Sequence, residues 1–183
     1  MAKKRTDKII LIDADVVSHF ITAGEILYIN SIFPYQIRLL DKVYAELERF
    51  KSKKQIVDNL INLRIFEVLQ FPENNEDIKK EYAHVKKLMF KGDGESACLA
   101  VVRYSNNILA SSNLKDIESY CKMHKIDYIT TMDFLCHALN EGIWDKARCD
   151  LFITKVRAAG SRLPKEKMDD YTCRTLDFVD SQT

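Results

Sequence analysis

Short apolar runs alternate with helical stretches along most of this chain, and that alternation limits the folds open to it. Four runs have the length and content of buried strands: KIILID (8–13), RIFEVLQF (64–71), NILAS (107–111) and IDYIT (126–130). Strands that alternate with helices are typical of βαβ units around a parallel sheet. We therefore predict an α/β fold, a three-layer α/β/α arrangement with a central parallel sheet of about four to five strands.

The segments around those runs show helical spacing of their apolar residues. Pro34 is expected to begin a helix that continues to about Phe50, and residues 74–90 to form a long polar helix. Near the C-terminus we expect helices over about 132–140 and 143–158, and a last helix from Pro164. Every segment between the predicted strands is thus long enough to cross one face of the sheet.

The length of 183 residues predicts one domain with a short extension. We expect a core over residues 1–140, with residues 141–183 forming a helical extension that packs on the core or contacts a partner. The formal net charge of +1 excludes a protein that holds nucleic acid by overall charge, so a basic surface must be local.

The composition also bears on the compartment. No apolar run approaches the roughly 20 residues that span a bilayer, and Asp13 and Asp15 interrupt the one that follows the basic N-terminus. The five cysteines include no CxxC pair, which favours reduced thiols over a disulfide framework or a structural zinc site. A cytoplasmic protein without a membrane partner is expected.

Polar residues gather where the predicted strands end, which is where parallel sheets bind ligands. They are Asp13 and Asp15 after the first strand, Ser112, Asn113 and Asp116 after NILAS, and Asp133 after IDYIT. Glu95 begins a helix directly after the break Gly92-Asp93-Gly94. These residues could converge on one cleft.

Several carboxylates in one cleft repel one another, and a hard divalent cation removes that conflict. Mg²⁺ or Mn²⁺ binds a few carboxylates and keeps positions open for water and phosphate oxygens, which suits hydrolysis of phosphate esters. Each acid also has a structural interpretation. Asp13 could cap a helix, and the acids that start helices could interact only with the helix dipole.

Four segments in order resemble the PIN domain family. They are IILIDADVV, VYAEL, GESACLAVV and ILASSNLKDIESYC leading into IDYITT, within about residues 8–140. PIN domains are metal-dependent ribonucleases and include the VapC-type toxins of bacterial toxin–antitoxin pairs. The family's first acid falls on Asp13, its helical acid on Glu46 and its third acid on Glu95.

The fourth motif departs from the family pattern. The family commonly has one or two aspartates directly after the third strand, where this chain has Ser112 and Asn113. Asp116, one helical turn later, is the nearest acid and could substitute for them.

The resemblance implies an endoribonuclease with Mg²⁺ or Mn²⁺ at its site. Its predicted catalytic and metal-binding residues are Asp13, Glu46, Glu95 and Asp116, and its predicted supporting residues are Asp15, Ser112, Asn113 and Asp133. RNA would be the substrate, and the basic stretch over 49–54 is a candidate to contact its backbone, although it also suits an ordinary solvated helix. A toxin would further have an antitoxin protein as partner and form a homodimer.

Two other functions stay open. A catalytically silent PIN-like module that binds RNA or a protein would explain the departure at Ser112 and Asn113 and the near-neutral charge. The opening IILIDADVV also matches haloacid-dehalogenase phosphatases. However, their late acidic motif is not reproduced, because GDGESA (92–97) lacks its final aspartate and precedes the ILASS strand.

Overall fold

Five parallel strands form the centre of the protein. The computed structural model describes residues 8–89 and 92–179, without the side chains of residues 114–116. Numbered along the chain, the strands are β1 (Ile9–Ile12), β2 (Gln36–Leu40), β3 (Val68–Leu69), β4 (Ile108–Ala110) and β5 (Tyr128–Ile129). Every pairing is parallel, in the order β3-β2-β1-β4-β5. The predicted α/β fold with a central parallel sheet is confirmed.

Helices connect the strands and flank the sheet. They are α1 (Ala14–Ala23), α2 (Asp41–Glu48), α3 (Lys51–Asn62), α4 (Glu76–Met89), α5 (Asp93–Arg103), α6 (Leu114–His124), α7 (Thr131–Asn140) and α8 (Lys146–Ala158), with 3₁₀ turns at Ile26–Ser31 and Met168–Asp170. Helix α5 packs against both α2 and α4, and α8 packs against α1. None of the helices in the described part of the chain is long and apolar enough to cross a membrane.

The middle strands β1 and β4 are buried on both faces. Ile10, Leu11 and Ile12 are fully buried, as are all three residues of β4. Helices cover both sides of a parallel sheet, so its inner strands are continuously apolar. This burial explains why these two strands were visible in the sequence.

The segment from Pro34 to Phe50 contains a strand followed by a helix, so the single predicted helix is wrong. Strand β2 pairs with β1, and Ile37 lies opposite Ile10. Ile37 and Leu39 are buried in β2, whereas Gln36 and Arg38 are only partly so, which is the two-residue period of a strand. The spacing of Ile37, Leu40 and later apolar residues imitates a helix because α2 begins immediately after the strand.

The C-terminal extension is less helical than predicted. Helix α8 is present, but no α-helix follows it in residues 159–179, and the helix predicted from Pro164 is wrong. Buried Leu163 and Met168 anchor this segment instead, and the Tyr35 hydroxyl donates to the Phe178 carbonyl at 2.7 Å. These contacts hold residues 161–179 against the core without an α-helix.

A disulfide joins this C-terminal segment to α7. Cys136 and Cys173 are bonded, with their Cα atoms 5.8 Å apart. The expectation that every cysteine is a reduced thiol is therefore wrong for this pair, whereas Cys98, Cys121 and Cys149 are free and buried. The two partners lie 37 residues apart in sequence, and they meet because the chain folds back beside α7.

Candidate active site

Asp13 lies where β1 ends and α1 begins. Its backbone N–H donates to the Ala110 carbonyl of β4 at 2.8 Å, which continues the pairing of the two strands. Its carboxyl group is only 4% exposed and makes no capping hydrogen bond to α1. The Oδ1 atom is buried without a hydrogen-bond partner in the described structure. A buried oxygen without a hydrogen-bond partner destabilises the protein unless another group binds it.

Other carboxylates surround Asp13. Burial raises the pKa of Asp13 well above its ordinary value, and the charges of Glu95, Asp15 and Glu46 raise it further. These acids come from three different helices, α5, α1 and α2. The structure thus brings together Asp13, Asp15, Glu46 and Glu95, although they are spread over more than eighty positions of the sequence.

Glu46 is held by the N-terminus of α5. Its Oε1 accepts a hydrogen bond from the Gly94 N–H at 2.8 Å. A Cβ at Gly92 would lie 2.7 Å from this same oxygen, and one at Gly94 would lie 3.1 Å from the backbone of Val43. The two glycines therefore let α5 approach α2 closely, and the positive end of the α5 dipole faces the carboxylate.

Glu95 is buried in the first turn of α5. The Ser111 hydroxyl donates to its Oε1 at 3.3 Å. Cys98, one turn further along α5, is fully buried, and the pKa of its thiol is raised by burial and then by the charges of Asp13, Glu95 and Glu46. Sequence reasoning did not select Cys98, and only its spacing from Glu95 could have indicated its place.

A neutral polar corner occupies the position where the family pattern has aspartates. Ser112 and Thr131 share a hydrogen bond between their hydroxyls, and His19 Nδ1 lies 2.9 Å from Thr131 Oγ1. Burial lowers the pKa of His19 below its ordinary value, so its ring is neutral at pH 7. His19 stands close to Asp13 in the sequence, but a single histidine on an amphipathic helix gives no pattern that assigns it a role.

Three further predicted residues belong to the beginnings of α6 and α7. Asn113 precedes α6, and its backbone N–H donates to Ser111 Oγ at 3.4 Å. Asp116 lies in α6, but its side chain is outside the described part of the structure. Asp133 forms a reciprocal capping box with Thr130 at the start of α7. Arg174 donates to both oxygens of Asp133, at 2.9 and 2.8 Å, so this carboxylate has a structural position.

The chemistry of the acids around Asp13 fits a hard divalent cation. They offer oxygen ligands, they repel one another, and one oxygen of Asp13 has no partner within the described residues. No three His, Cys, Asp or Glu side chains among those described are arranged to hold an ion as they stand. Metal binding here therefore requires the carboxylates to draw closer together.

Comparison with known proteins gives similarity of fold only. The chain matches no model of a known protein family, and it matches no curated protein. A chain of a toxin–antitoxin complex from Klebsiella pneumoniae is similar with a TM-score of 0.49 and 15% identity, over 66% of this chain and 96% of that one. A chain of FitAB bound to an IR36 DNA fragment is similar with a TM-score of 0.47 and 15% identity, over 67% and 95%.

Proposed function

We propose that this protein is a metal-dependent endoribonuclease that hydrolyses RNA phosphodiesters at Asp13, Glu46 and Glu95. The observation that carries the proposal is the state of Asp13. Its carboxyl group is buried, one oxygen has no partner in the described structure, and the charged neighbours that shift its pKa are all acids. Burial of like charges opposes folding, and such clusters are typical of functional sites.

The residues of this chain would position the ligands of the ion. The Gly94 N–H fixes one oxygen of Glu46, and the Ser111 hydroxyl fixes one oxygen of Glu95. Hydrogen bonds of this kind orient metal ligands and are needed for full affinity. A bound Mg²⁺ or Mn²⁺ would lower the pKa of a water molecule and offset negative charge on the phosphate. Asp15 would add negative charge nearby, and Asp116 remains the proposed fourth ligand.

A catalytically silent module that binds RNA or a protein is the second candidate. The observation in its favour is the corner of Ser112, Thr131 and His19, whose polar groups bond to one another. This corner supplies hydroxyls and a neutral ring where the family pattern has carboxylates. A site with three acids would bind a cation more weakly than one that also has one or two aspartates at this corner.

The toxin proposal rests on the resemblance of the motifs to VapC-type toxins, and it includes an antitoxin partner and a homodimer. Expression of the wild-type chain in a bacterium would then arrest growth, and expression of Asp13→Asn would not. Growth that is the same with both proteins at equal levels would contradict the toxin proposal, and it would leave the nuclease proposal to its own test.

The nuclease proposal is tested by incubating a mixed RNA pool with the protein in Mn²⁺, in EDTA, and with Asp13→Asn in Mn²⁺. We expect cleavage in Mn²⁺ only, and a loss of more than about 100-fold in the variant, because changes at residues that merely support a metal ligand already cost 10- to 100-fold. Asp169→Asn is the matched control, because Asp169 is an exposed acid that pairs with Lys146 on the surface.

Glu46→Gln and Glu95→Gln should each reduce cleavage as Asp13→Asn does, while the Asp169→Asn control cleaves normally. Folded protein that cleaves no RNA in Mn²⁺ but still binds RNA would support the silent module. Full activity of Asp13→Asn would refute the assignment of the site.

A further inference from the structure

We propose that Phe50 and Lys53, at the start of α3, form a subsite for one unpaired base and its phosphate beside the acids. This inference rests on the proposed function and names its substrate class as single-stranded RNA. Phe50 would stack on the base, and the ammonium group of Lys53 would contact the phosphate.

Phe50 presents an aromatic ring to solvent. It lies just before α3 and is 58% exposed. The exposed residues that follow it on α3 are polar, namely Lys51, Ser52, Gln55, Asn59 and Asn62. Phe50 is therefore not part of an apolar stripe that would pack on a partner protein. A single exposed ring is common on protein surfaces, so the argument depends on what lies next to it.

Lys53 lies next to that ring and keeps its charge available. Its Nζ is 4.7 Å from the centroid of the Phe50 ring and donates to Ser18 Oγ of α1 at 3.0 Å. The adjacent Lys54 pairs with Glu48 at 3.0 Å and with Asp58 at 2.9 Å. The charge of Lys54 is thus paired with carboxylates. Lys53 instead lies beside an aromatic ring and has no carboxylate partner within the described residues.

Lys53 connects the subsite to α1, the helix that begins directly after Asp13, through its bond to Ser18. Phe50 follows Glu46 by four residues, directly beyond the end of α2. The negative charge of Asp15 raises the pKa of His19, and the positive charge of Lys53 lowers it. The charge of Asp15 also raises the pKa of Asp13. A nucleotide seated on Phe50 and Lys53 would therefore have its neighbour in the strand close to the carboxylates.

The combination of an exposed aromatic ring and a lysine favours binding of single-stranded RNA over duplex RNA. Aromatic rings recognise RNA by stacking on bases, and stacking requires a base that is not already within a helix. A duplex would offer only its phosphates, which would use Lys53 but not Phe50. With a net charge of only +1, the protein has little additional attraction for a duplex.

The test measures binding of the full chain in EDTA, so that affinity is read without cleavage. The probes are a fluorescein-labelled 12-nucleotide single strand of RNA, the same strand paired with its complement, and the single strand with one 2-aminopurine. We expect the single strand to bind more tightly than the duplex and the 2-aminopurine to be quenched. Phe50→Leu should weaken binding of the single strand by about 5- to 100-fold and abolish the quenching, whereas Phe50→Trp should keep both.

The adjacent lysines provide a matched pair. Lys53→Gln should reduce the slope of log K against log salt by about 0.7, the value for one phosphate contact on a single strand, and Lys54→Gln should leave the slope unchanged. Wild-type affinity in Phe50→Leu, or equal affinity for both forms of RNA, would overturn the subsite.

The two proposals can fail separately. If binding depends on Phe50 but no RNA is cleaved in Mn²⁺, the subsite stands and the nuclease proposal fails. If RNA is cleaved and Phe50→Leu binds and cleaves as the wild type does, the nuclease proposal stands and the subsite fails.

Discussion

Asp13 and Asp133 are both buried near the ends of parallel strands, but they differ in their hydrogen-bond partners and in their charged neighbours. Asp13 follows β1 and Asp133 follows β5 at the start of α7, with exposed fractions of 4% and 1%. Asp133 receives hydrogen bonds from Thr130 and from Arg174. Asp13 instead keeps an oxygen without a partner among the described residues and has acids as its charged neighbours.

This is the difference expected between a structural acid and an acid that binds a ligand. A buried carboxylate that is paired and capped contributes to folding, because breaking the pair leaves a charge uncompensated. A buried carboxylate among other acids opposes folding, so its presence indicates a ligand that is bound later. The predictions below compare the two sites, beginning with the largest effect.

Asp133→Ala should lower the free energy of unfolding by about 3 kcal/mol, measured by urea denaturation. The substitution leaves Arg174, which is partly buried, without its carboxylate and removes the capping box. Asp169→Ala is the control and should cost less than about 1 kcal/mol, because its ion pair with Lys146 is exposed. A cost of the same size in both variants would mean that solvent screens the pair of Asp133 and Arg174.

Mn²⁺ should stabilise the wild-type protein through the acids around Asp13. At about 100 times its dissociation constant, a ligand adds about 2.7 kcal/mol, or roughly 5 to 10 °C in Tm for a chain of this length. Differential scanning fluorimetry should show this shift in Asp133→Asn and not in Asp13→Asn. A shift that Asp13→Asn retains would place the ion at another site.

Asp13→Asn should stabilise the protein in EDTA at pH 7, by about 1 to 2 kcal/mol, because an amide has no charged form for burial and the neighbouring acids to oppose. The pKa of Asp13 is raised in the folded state, so the folded protein binds this proton more tightly than the unfolded chain. The contribution of Asp13 to stability is therefore full at low pH. It is lost as the pH rises above about 4, the value in the unfolded chain, until the folded pKa is passed.

Urea denaturation in EDTA between pH 4 and pH 8 checks this sign. The stability of the wild type should fall relative to that of Asp13→Asn as the pH rises. A variant that is less stable than the wild type at every pH would contradict the view that Asp13 opposes folding.

Thr130→Val should have the smallest effect, a loss of about 0.5 to 1 kcal/mol. It removes the hydroxyl that caps α7, but the backbone N–H of residue 130 still donates to Asp133 and Arg174 still pairs with it. Thr154→Val is the control, because the Thr154 hydroxyl donates to the Asp150 carbonyl of its own helix and caps no helix. Comparing Thr130→Val with Asp133→Ala in thermal denaturation separates the cap from the ion pair.

The elements of the fold that could be predicted from the sequence are those whose local pattern of apolar residues matches their burial. The strands β1 and β4 are continuous apolar runs, and Asp13 and Glu95 stand at a strand end and after a glycine break. Strand β2 was hidden because its apolar residues continue into the spacing of α2. Glu46 could be predicted only from the order of the motifs, because a glutamate on an amphipathic helix has no distinguishing local sequence pattern.

The remaining features depend on contacts between distant segments. The sequence signal of Asp133, an acid after a strand, is the same as that of Asp13. What distinguishes Asp133 is Arg174, which lies 41 residues later and docks against it. The pairing of Cys136 with Cys173 has the same origin, because the segment that carries Arg174 also brings Cys173 to α7. No local pattern contains either contact.

The disulfide between Cys136 and Cys173 closes a covalent ring that contains the whole of α8. Residues 161–167 of this ring contain neither helix nor strand, and their exposed Arg162, Lys165 and Lys167 are sites for trypsin. A single cut there leaves two peptides that remain one molecule. On a denaturing gel without reductant the nicked protein would run as a single species, and with reductant it would separate into two fragments.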